Sequence, residues 1–168
     1  MLVALFASLL MAQAPDAPAL FEGPPELSQR TFEMLGATVD LPTQWTVISE
    51  ELESTSLRID AIGGLVQITR GGGDSSLRKI RRGVLRAARK AGWKTVERRW
   101  TRLSGKKALA LMFDVGSDAA GTEPRHVVRQ LFYFAELGGE LWVVHFGTRK
   151  DRFDYDAYRV VASSLQPR

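Results

Sequence analysis

Hydrophobic residues follow one another along this chain in short runs and alternations that predict mainly β-strands. Two segments, residues 131–134 (LFYF) and 141–144 (LWVV), are apolar at successive positions, so both faces of these strands are expected to be buried. Eight strand patterns occur in all, at residues 38–42, 45–49, 57–61, 65–70, 94–100, 107–115, 127–137 and 140–148.

Turn-forming residues separate several of these strands. Residues 42–44 (PTQ) predict a turn between the first two strands, and Gly63-Gly64 predicts a two-residue hairpin turn between the next two. Gly138-Gly139 separates the last two strands. Such short connections favour antiparallel pairing of neighbouring strands.

Residues 71–90 follow a helical period after a glycine-rich start. Asp74 or Ser75 is expected to cap the N-terminus of this helix, and Gly92 to end it in the left-handed conformation. The apolar stripe that faces the sheet is predicted to consist of Leu77, Ile80, Val84, Ala87, Ala88 and Ala91.

A second helical pattern extends from Asp151 to Leu165. Its apolar face is predicted to contain Phe153, Ala157, Val160, Val161, Ser164 and Leu165. Two helices and about eight hairpin-linked strands predict an α+β fold, in which an antiparallel β-sheet carries helices on its faces.

The glycine-rich loop at residues 71–76 (GGGDSS) resembles a phosphate-binding loop in lying between a strand and a helix. It contains neither GxxxxGK[ST] nor GxGxxG, the spacings that bring backbone N–H groups to a phosphate. A carboxylate at Asp74 would also repel phosphate. The loop is therefore interpreted as a helix cap.

Arginine and lysine cover the polar side of the first helix. Arg78, Arg82, Arg86 and Arg89 are candidates for contact with an anionic surface such as acidic lipid, where each basic residue contributes about 1 kcal/mol. A solvated outer surface is the alternative, and the pattern favours it. Nucleic acid is a less suitable partner, because no helix-turn-helix, zinc or single-strand aromatic motif accompanies the arginines.

Candidate chemistry is sparse. The chain has no cysteine, which excludes disulfides, thiolate metal sites and cysteine nucleophiles. His126 and His145 have no partner at ligand spacing, and Asp114, Asp118 and Glu123 lack the register of a calcium loop. The sequence therefore predicts no catalytic residue, no cofactor and no metal.

Residues 1–14 form an apolar run that ends in the small residues Ala12 and Ala14, as a secretory signal does. A buried N-terminal helix is the alternative. Residues 15–30 hold four of the seven prolines and are interpreted as a flexible tether, and residues 31–168 as a single domain. The apolar run is too short to span a bilayer, and no other span is predicted. We expect a secreted or periplasmic protein.

The order of the elements resembles the PsbP-like superfamily over Thr31 to Leu165. The matching positions are Leu41, Pro42 and Trp45, the aromatic strands around Gly138-Gly139, and Phe153, Val160, Val161, Ser163 and Ser164. This superfamily includes the extrinsic photosystem II protein, a Ran-binding import factor and bacterial envelope proteins of the DcrB and LpqN types. The resemblance implies an α/β/α sandwich used mostly to bind other proteins, with no shared catalytic residues.

Two functional hypotheses remain. The first is an exported, monomeric, non-enzymatic accessory or binding protein of the bacterial envelope, which contacts a protein partner or an anionic envelope surface. The second is an enzyme or small-ligand carrier with a pocket between sheet and helix, lined by His126, Asp114 or Arg129. A flat surface with a basic stripe favours the first, and a deep polar pocket favours the second.

Overall fold

A computed structural model describes residues 26–51, 54–59, 64–71, 76–116 and 127–168, the second of these ranges by its backbone. These residues form ten strands and two α-helices. The strands are β1 (Leu27–Phe32), β2 (Ala37–Pro42), β3 (Thr46–Glu51), β4 (Ser54–Ile59), β5 (Gly64–Gly71), β6 (Lys94–Leu103), β7 (Lys106–Val115), β8 (Val128–Leu137), β9 (Glu140–Arg149) and β10 (Gln166–Pro167). The helices are α1 (Leu77–Lys90) and α2 (Tyr155–Ser164), and a 3-10 turn at Lys150–Arg152 precedes α2.

The strands form two sheets in which every pairing is antiparallel. The larger sheet has the order β3-β4-β5-β9-β8-β7-β6, and the smaller has the order β1-β2-β10. All eight predicted strands are present, and β1 and β10 are additional. The predicted α+β class, an antiparallel sheet with helices on its faces, is confirmed.

Both faces of the central strands are buried, as their apolar runs predict. On one face α1 covers a cluster that includes Leu109, Leu111, Phe132 and Phe134. The other face is covered by α2 together with the small sheet. Their buried side chains form one cluster with the side chains at alternate positions of β7, β8 and β9. The sequence predicts helices on the faces of the sheet but not the small sheet, because the pairing of β1 and β10 with β2 has no local sequence signal.

The contact face of α1 differs from the predicted stripe. Ile80, Val84 and Ala88 are buried and Leu85 packs beside them, whereas Ala87 and Ala91 are exposed. The buried face is thus turned from Ala87 toward Leu85, and Ala91 lies at the C-cap of the helix.

The caps of α1 agree with the prediction at one end only. Ser76 is the N-cap, and its side chain accepts a hydrogen bond from the backbone N–H of Lys79. The prediction of Asp74 or Ser75 at this position is therefore wrong, and both lie outside the described residues. Gly92 has a φ of +75°, so the left-handed stop is confirmed.

The contact face of α2 is also rotated from the predicted one. Ala157, Tyr158, Val161 and Ala162 are buried, and Val160 is 44% exposed. Tyr158 decides the orientation because its ring stacks on Phe146, with centroids 4.6 Å apart. The predicted apolar face did not include this tyrosine.

Two boundaries differ from those expected. The strand β1 begins at Leu27, so its first four residues fall in the range assigned to the tether. Gly64 pairs with Ile59 inside the β4–β5 ladder, so the two-residue turn at Gly63-Gly64 is wrong. The connection consists of residues 60–63, which lie outside the described residues. The turn at Gly138-Gly139 is confirmed, with φ values of +63° and +84°.

Candidate functional site

Positive charge is concentrated in one segment of the chain. Residues 76–113 contain 13 of the 23 Lys and Arg side chains and one of the 19 Asp and Glu side chains. The other residues hold ten basic and 18 acidic side chains, so they carry a net charge of −8 against +12 for this segment. The segment comprises α1, β6 and most of β7, which are neighbours in the fold.

The four predicted arginines lie together on α1 and are exposed. Arg78, Arg82, Arg86 and Arg89 occupy an arc of about 80° on the helix surface at 100° per residue. None of them forms an ion pair with an acid in the part of the chain that the structure describes. The first turn of α1 also contains no acidic residue. No acid of the described ranges therefore compensates their positive charge.

The strand β6 adds further cations on the same side of the sheet. Arg98 and Trp100 lie opposite Leu111 and Leu109, two residues that pack under α1. Side chains directly opposite each other share a face, so these two residues of β6 also point to the α1 side. Arg102 follows in the same alternation, opposite Lys107.

Trp100 is the exposed aromatic residue of this surface. Its side chain is 39% exposed, and the Nζ atom of Lys107 lies 4.5 Å from its ring centroid. The ring thus sits among cations at the edge of the sheet. Trp100 therefore lies at the rim of the sheet and not in the core.

The single acid of the segment faces away from these cations. Glu97 lies opposite Met112, which belongs to the core on the α2 side, and it pairs with Arg99 at an Oε1–Nε distance of 2.8 Å. We call this α1-side surface the basic face. It consists of Arg78, Arg82, Arg86, Arg89, Arg98, Arg102 and Lys107, with Trp100 among them.

An open groove of about 530 Å³ runs between the end of α1 and β6. Leu85, Arg89 and Trp93 form one wall, and Val96 and Arg98 belong to the other. A β-bulge between Thr95 and Glu97 places Val96 beside the groove. Glu97 also borders the groove, so its lining combines apolar side chains with a cation on each wall and one acid.

The α1 half of this face was predicted from the sequence, whereas the β6 half was not. Arg98, Trp100 and Arg102 alternate with period two in VERRWTRL, which was a usable signal. Their proximity to α1 follows only from the pairing of β6 with β7.

Comparison with known proteins identifies the architecture. No protein-family model matches this chain, and no curated protein does. Among solved structures, cyanobacterial PsbP from Synechocystis sp. PCC 6803 is similar with a TM-score of 0.61 and 15% identity, covering 92% of this chain and 100% of that protein. The fold is PsbP-like.

Two other solved structures are also similar to this chain. A Pseudomonas aeruginosa protein of unknown function, described as a putative regulator, has a TM-score of 0.57 and 17% identity, covering 84% of this chain and 97% of its own length. A Bacteroides thetaiotaomicron protein has a TM-score of 0.55 and 14% identity over 80% of this chain. This chain spans only 46% of the length of that protein.

Two of the residues predicted to line a pocket between sheet and helix, Asp114 and Arg129, pair with each other in the PsbP-like domain. Arg129 donates two hydrogen bonds to Asp114, from Nε to Oδ1 at 2.8 Å and from Nη2 to Oδ2 at 3.0 Å. The Nζ atom of Lys150 lies 3.2 Å from the same Oδ2. Burial raises the pKa of Asp114, but the hydrogen bonds and charges of Arg129 and Lys150 outweigh it and hold the pKa below its usual value. The third lining candidate, His126, lies outside the described residues.

His145 is a structural histidine of the core, as the sequence predicts. Its ring is buried, and Nε2 lies 3.1 Å from Oε1 of Gln130. Burial lowers its pKa from 6.5 to about 3. The imidazole of His145 is therefore neutral at ordinary pH.

The described residues contain no group of three or more His, Asp or Glu side chains placed to hold a metal ion. Neither α1 nor α2 is long and apolar enough to cross a membrane.

Proposed function

We propose that this PsbP-like chain is an exported, non-enzymatic accessory protein of the bacterial envelope, which binds an anionic partner through the basic face. The observation that carries the proposal is the separation of charge, +12 over residues 76–113 against −8 elsewhere. A protein with such an asymmetric field is steered toward negative surfaces in one orientation.

The exposure of the arginines makes their charge available. Cations that already pair with acids offer little to a partner, whereas Arg78, Arg82, Arg86 and Arg89 have no acidic neighbour in the described chain. Four such contacts, at about 1 kcal/mol each near acidic lipid, support reversible binding that weakens with salt.

A binding role suits the fold better than catalysis. Two of the three residues that the rival hypothesis names are occupied, since Asp114 and Arg129 form a bidentate ion pair. The similarity to cyanobacterial PsbP supports an accessory role by analogy of fold only. Export rests on residues 1–14, whose apolar run and small residues resemble a secretory signal.

Binding to two anionic probes tests the proposal. The probes are phosphatidylglycerol vesicles and poly-L-glutamate, with phosphatidylcholine vesicles as the neutral comparison. The variant replaces Arg78, Arg82, Arg86 and Arg89 by Gln. The matched control removes the same charge elsewhere, by replacing Arg30, Arg152, Arg159 and Arg168 by Gln.

We expect the wild-type protein to bind both anionic probes at about 0.05 M salt and to be released at about 0.5 M. The α1 variant should bind at least about tenfold more weakly, because each lost contact contributes about 1 kcal/mol. The control should stay within about twofold. The proposal is wrong if the wild-type protein binds neither anionic probe. It is also wrong if the α1 variant and the control lose the same amount of binding.

A further inference from the structure

The strand β6 ends the seven-stranded sheet. It pairs with β7 on one side, and no described strand pairs with it on the other. It is ten residues long, so its free edge carries enough backbone donors and acceptors to receive another strand.

The β6–β7 turn determines which backbone groups point to that free edge. Ser104 and Gly105 have φ values of +47° and +72°, and Leu103 pairs with Lys106 across them. This two-residue turn with both φ values positive is closed by a pair that exchanges two hydrogen bonds.

Hydrogen-bonded and non-hydrogen-bonded pairs alternate from that point along an antiparallel ladder. Leu103, Thr101 and Arg99 therefore direct their N–H and C=O groups toward β7. The groups of Arg102, Trp100 and Arg98 point to the free edge.

The same three residues carry side chains of the basic face. Arg98 and Trp100 lie on the α1 side through their pairing with Leu111 and Leu109, and Arg102 continues the alternation. Each position with outward backbone groups thus also presents a cation or the exposed indole. Beside them lies the groove lined by Leu85 and Arg89.

We infer that β6 receives an acidic, extended segment of a protein partner as an eighth strand of the large sheet. Main-chain hydrogen bonds to residues 98, 100 and 102 would supply affinity. The surrounding cations would select acidic side chains at alternate positions of the segment. The inference rests on the proposed function and specifies the partner as a polypeptide.

Charge complementarity explains how such an edge can be selective. Basic residues on an edge strand repel the same edge of a second copy and so oppose aggregation. They attract a strand whose side chains are acidic, which separates the intended partner from others. A lipid surface would match the charge but would leave the outward N–H groups without ordered acceptors.

A labelled peptide tests the inference on the full chain. The peptide has ten residues in which Glu and Val alternate, so one face of its strand is wholly acidic. A matched peptide with the same sequence carries N-methyl groups on alternate residues, which removes the N–H groups of one edge and keeps the charge. A second peptide is methylated on the other alternate residues, so it lacks the N–H groups of the opposite edge.

Amide hydrogen exchange gives a readout that does not need a variant. In the free protein the amides of Arg98, Trp100 and Arg102 should exchange quickly, and those of Arg99 and Thr101 slowly. The peptide should slow the first three by at least about tenfold, because a hydrogen bond must open before exchange. Poly-L-glutamate should leave them fast.

A pair of substitutions at one position separates charge from backbone. Arg98→Gln removes the charge and keeps the N–H group, whereas Arg98→Pro removes both, and an edge strand tolerates proline where its N–H faces solvent. We expect Arg98→Pro to weaken peptide binding at least about tenfold beyond Arg98→Gln. Binding to phosphatidylglycerol vesicles should be equal in the two variants.

Four results would overturn the inference while leaving the proposed function intact. In the first, the amides of residues 98, 100 and 102 still exchange quickly when the peptide is bound. In the second, the two methylated peptides and the parent peptide bind with equal affinity, and in the third the two Arg98 variants bind the peptide equally. In the fourth, self-association of the free protein already protects these amides. Loss of all binding to vesicles, poly-L-glutamate and peptide would instead overturn the proposed function itself.

Discussion

His145 and Phe132 stack face to face across the β8–β9 pair, with ring centroids 4.1 Å apart and ring planes 3° from parallel. The stack lies on the α1 side of the sheet, where Phe132 also contacts Phe113 and Phe134. An ionised imidazole would lose its hydration here without gaining an acidic partner. His145 therefore contributes to the core as a neutral aromatic ring.

Stability should fall at acid pH because of this histidine. The pKa of His145 is about 3 in the folded protein and 6.5 for the ordinary side chain. Between these values the unfolded chain binds a proton that the folded chain does not, so the free energy of unfolding decreases as the pH falls. His145→Gln should remove up to about 1.4 kcal/mol per pH unit of this dependence. Urea unfolding at about pH 7, 5.5 and 4.5 measures it, and an unchanged slope would contradict the assignment.

The two cores should each depend on one large aromatic side chain. Trp142 is buried on the α2 side and Phe132 on the α1 side. Replacing either by Ala should lower the free energy of unfolding by about 3 to 5 kcal/mol, through lost burial and the cavity left behind. Trp100→Ala is the control, since Trp100 is 39% exposed and should lose far less. A loss below about 1 kcal/mol at both buried positions would refute the two-core description.

The ion pair of Asp114 should stabilise the fold more than that of Asp151. Both carboxylates accept two hydrogen bonds from an arginine, but the side chain of Asp114 is 8% exposed and that of Asp151 is 50% exposed. Asp114→Asn should cost about 1.5 to 3 kcal/mol, the range for hydrogen bonds to charged groups. Asp151→Asn should cost less than about 1 kcal/mol because water screens the exposed pair.

The contribution of Asp114 should depend on pH. Its pKa is lowered in the folded protein, so its stabilisation is complete above the ordinary pKa of 3.8 and is lost as the pH falls through the lowered value.

Unfolding curves of Asp114→Asn and Asp151→Asn at neutral pH compare the two ion pairs directly. Equal losses would mean that burial does not strengthen the pair.

The arginines of α1 should be dispensable for folding. Arg78, Arg82, Arg86 and Arg89 are exposed and unpaired in the described chain, so each Gln substitution should change stability by no more than about 0.5 kcal/mol. Arg78 lies in the first turn, where a cation opposes the helix dipole, and its removal should be neutral or slightly stabilising. Thermal unfolding of the fourfold variant measures the sum. A fourfold variant that does not fold would show that the arginines are structural.

Export should remove the N-terminal segment. Residues 1–14 resemble a secretory signal, so the secreted or periplasmic protein is expected to lack its first 14 to 20 residues. N-terminal sequencing of the protein from the extracellular or periplasmic fraction checks this. An intact Met1 in that fraction would refute the signal.

Local periodicity determined much of the fold in advance. The apolar runs at residues 131–134 and 141–144 require cover on both faces, and both faces are buried. Gly138-Gly139 and Gly92 adopt positive φ values at the positions predicted for a turn and a helix end. These features depend on the conformations of a few neighbouring residues, which the sequence specifies directly.

Tertiary structure decided the features that depend on residues far apart in the chain. Tyr158 rotates α2 because its ring meets Phe146, and Asp114 is occupied because strand register places it opposite Arg129. The basic face likewise needs the β6–β7 ladder to bring Arg98 to the side of α1. The sequence alone specified the charges, whereas their assembly into one surface depends on strand order and register, which no local periodicity encodes.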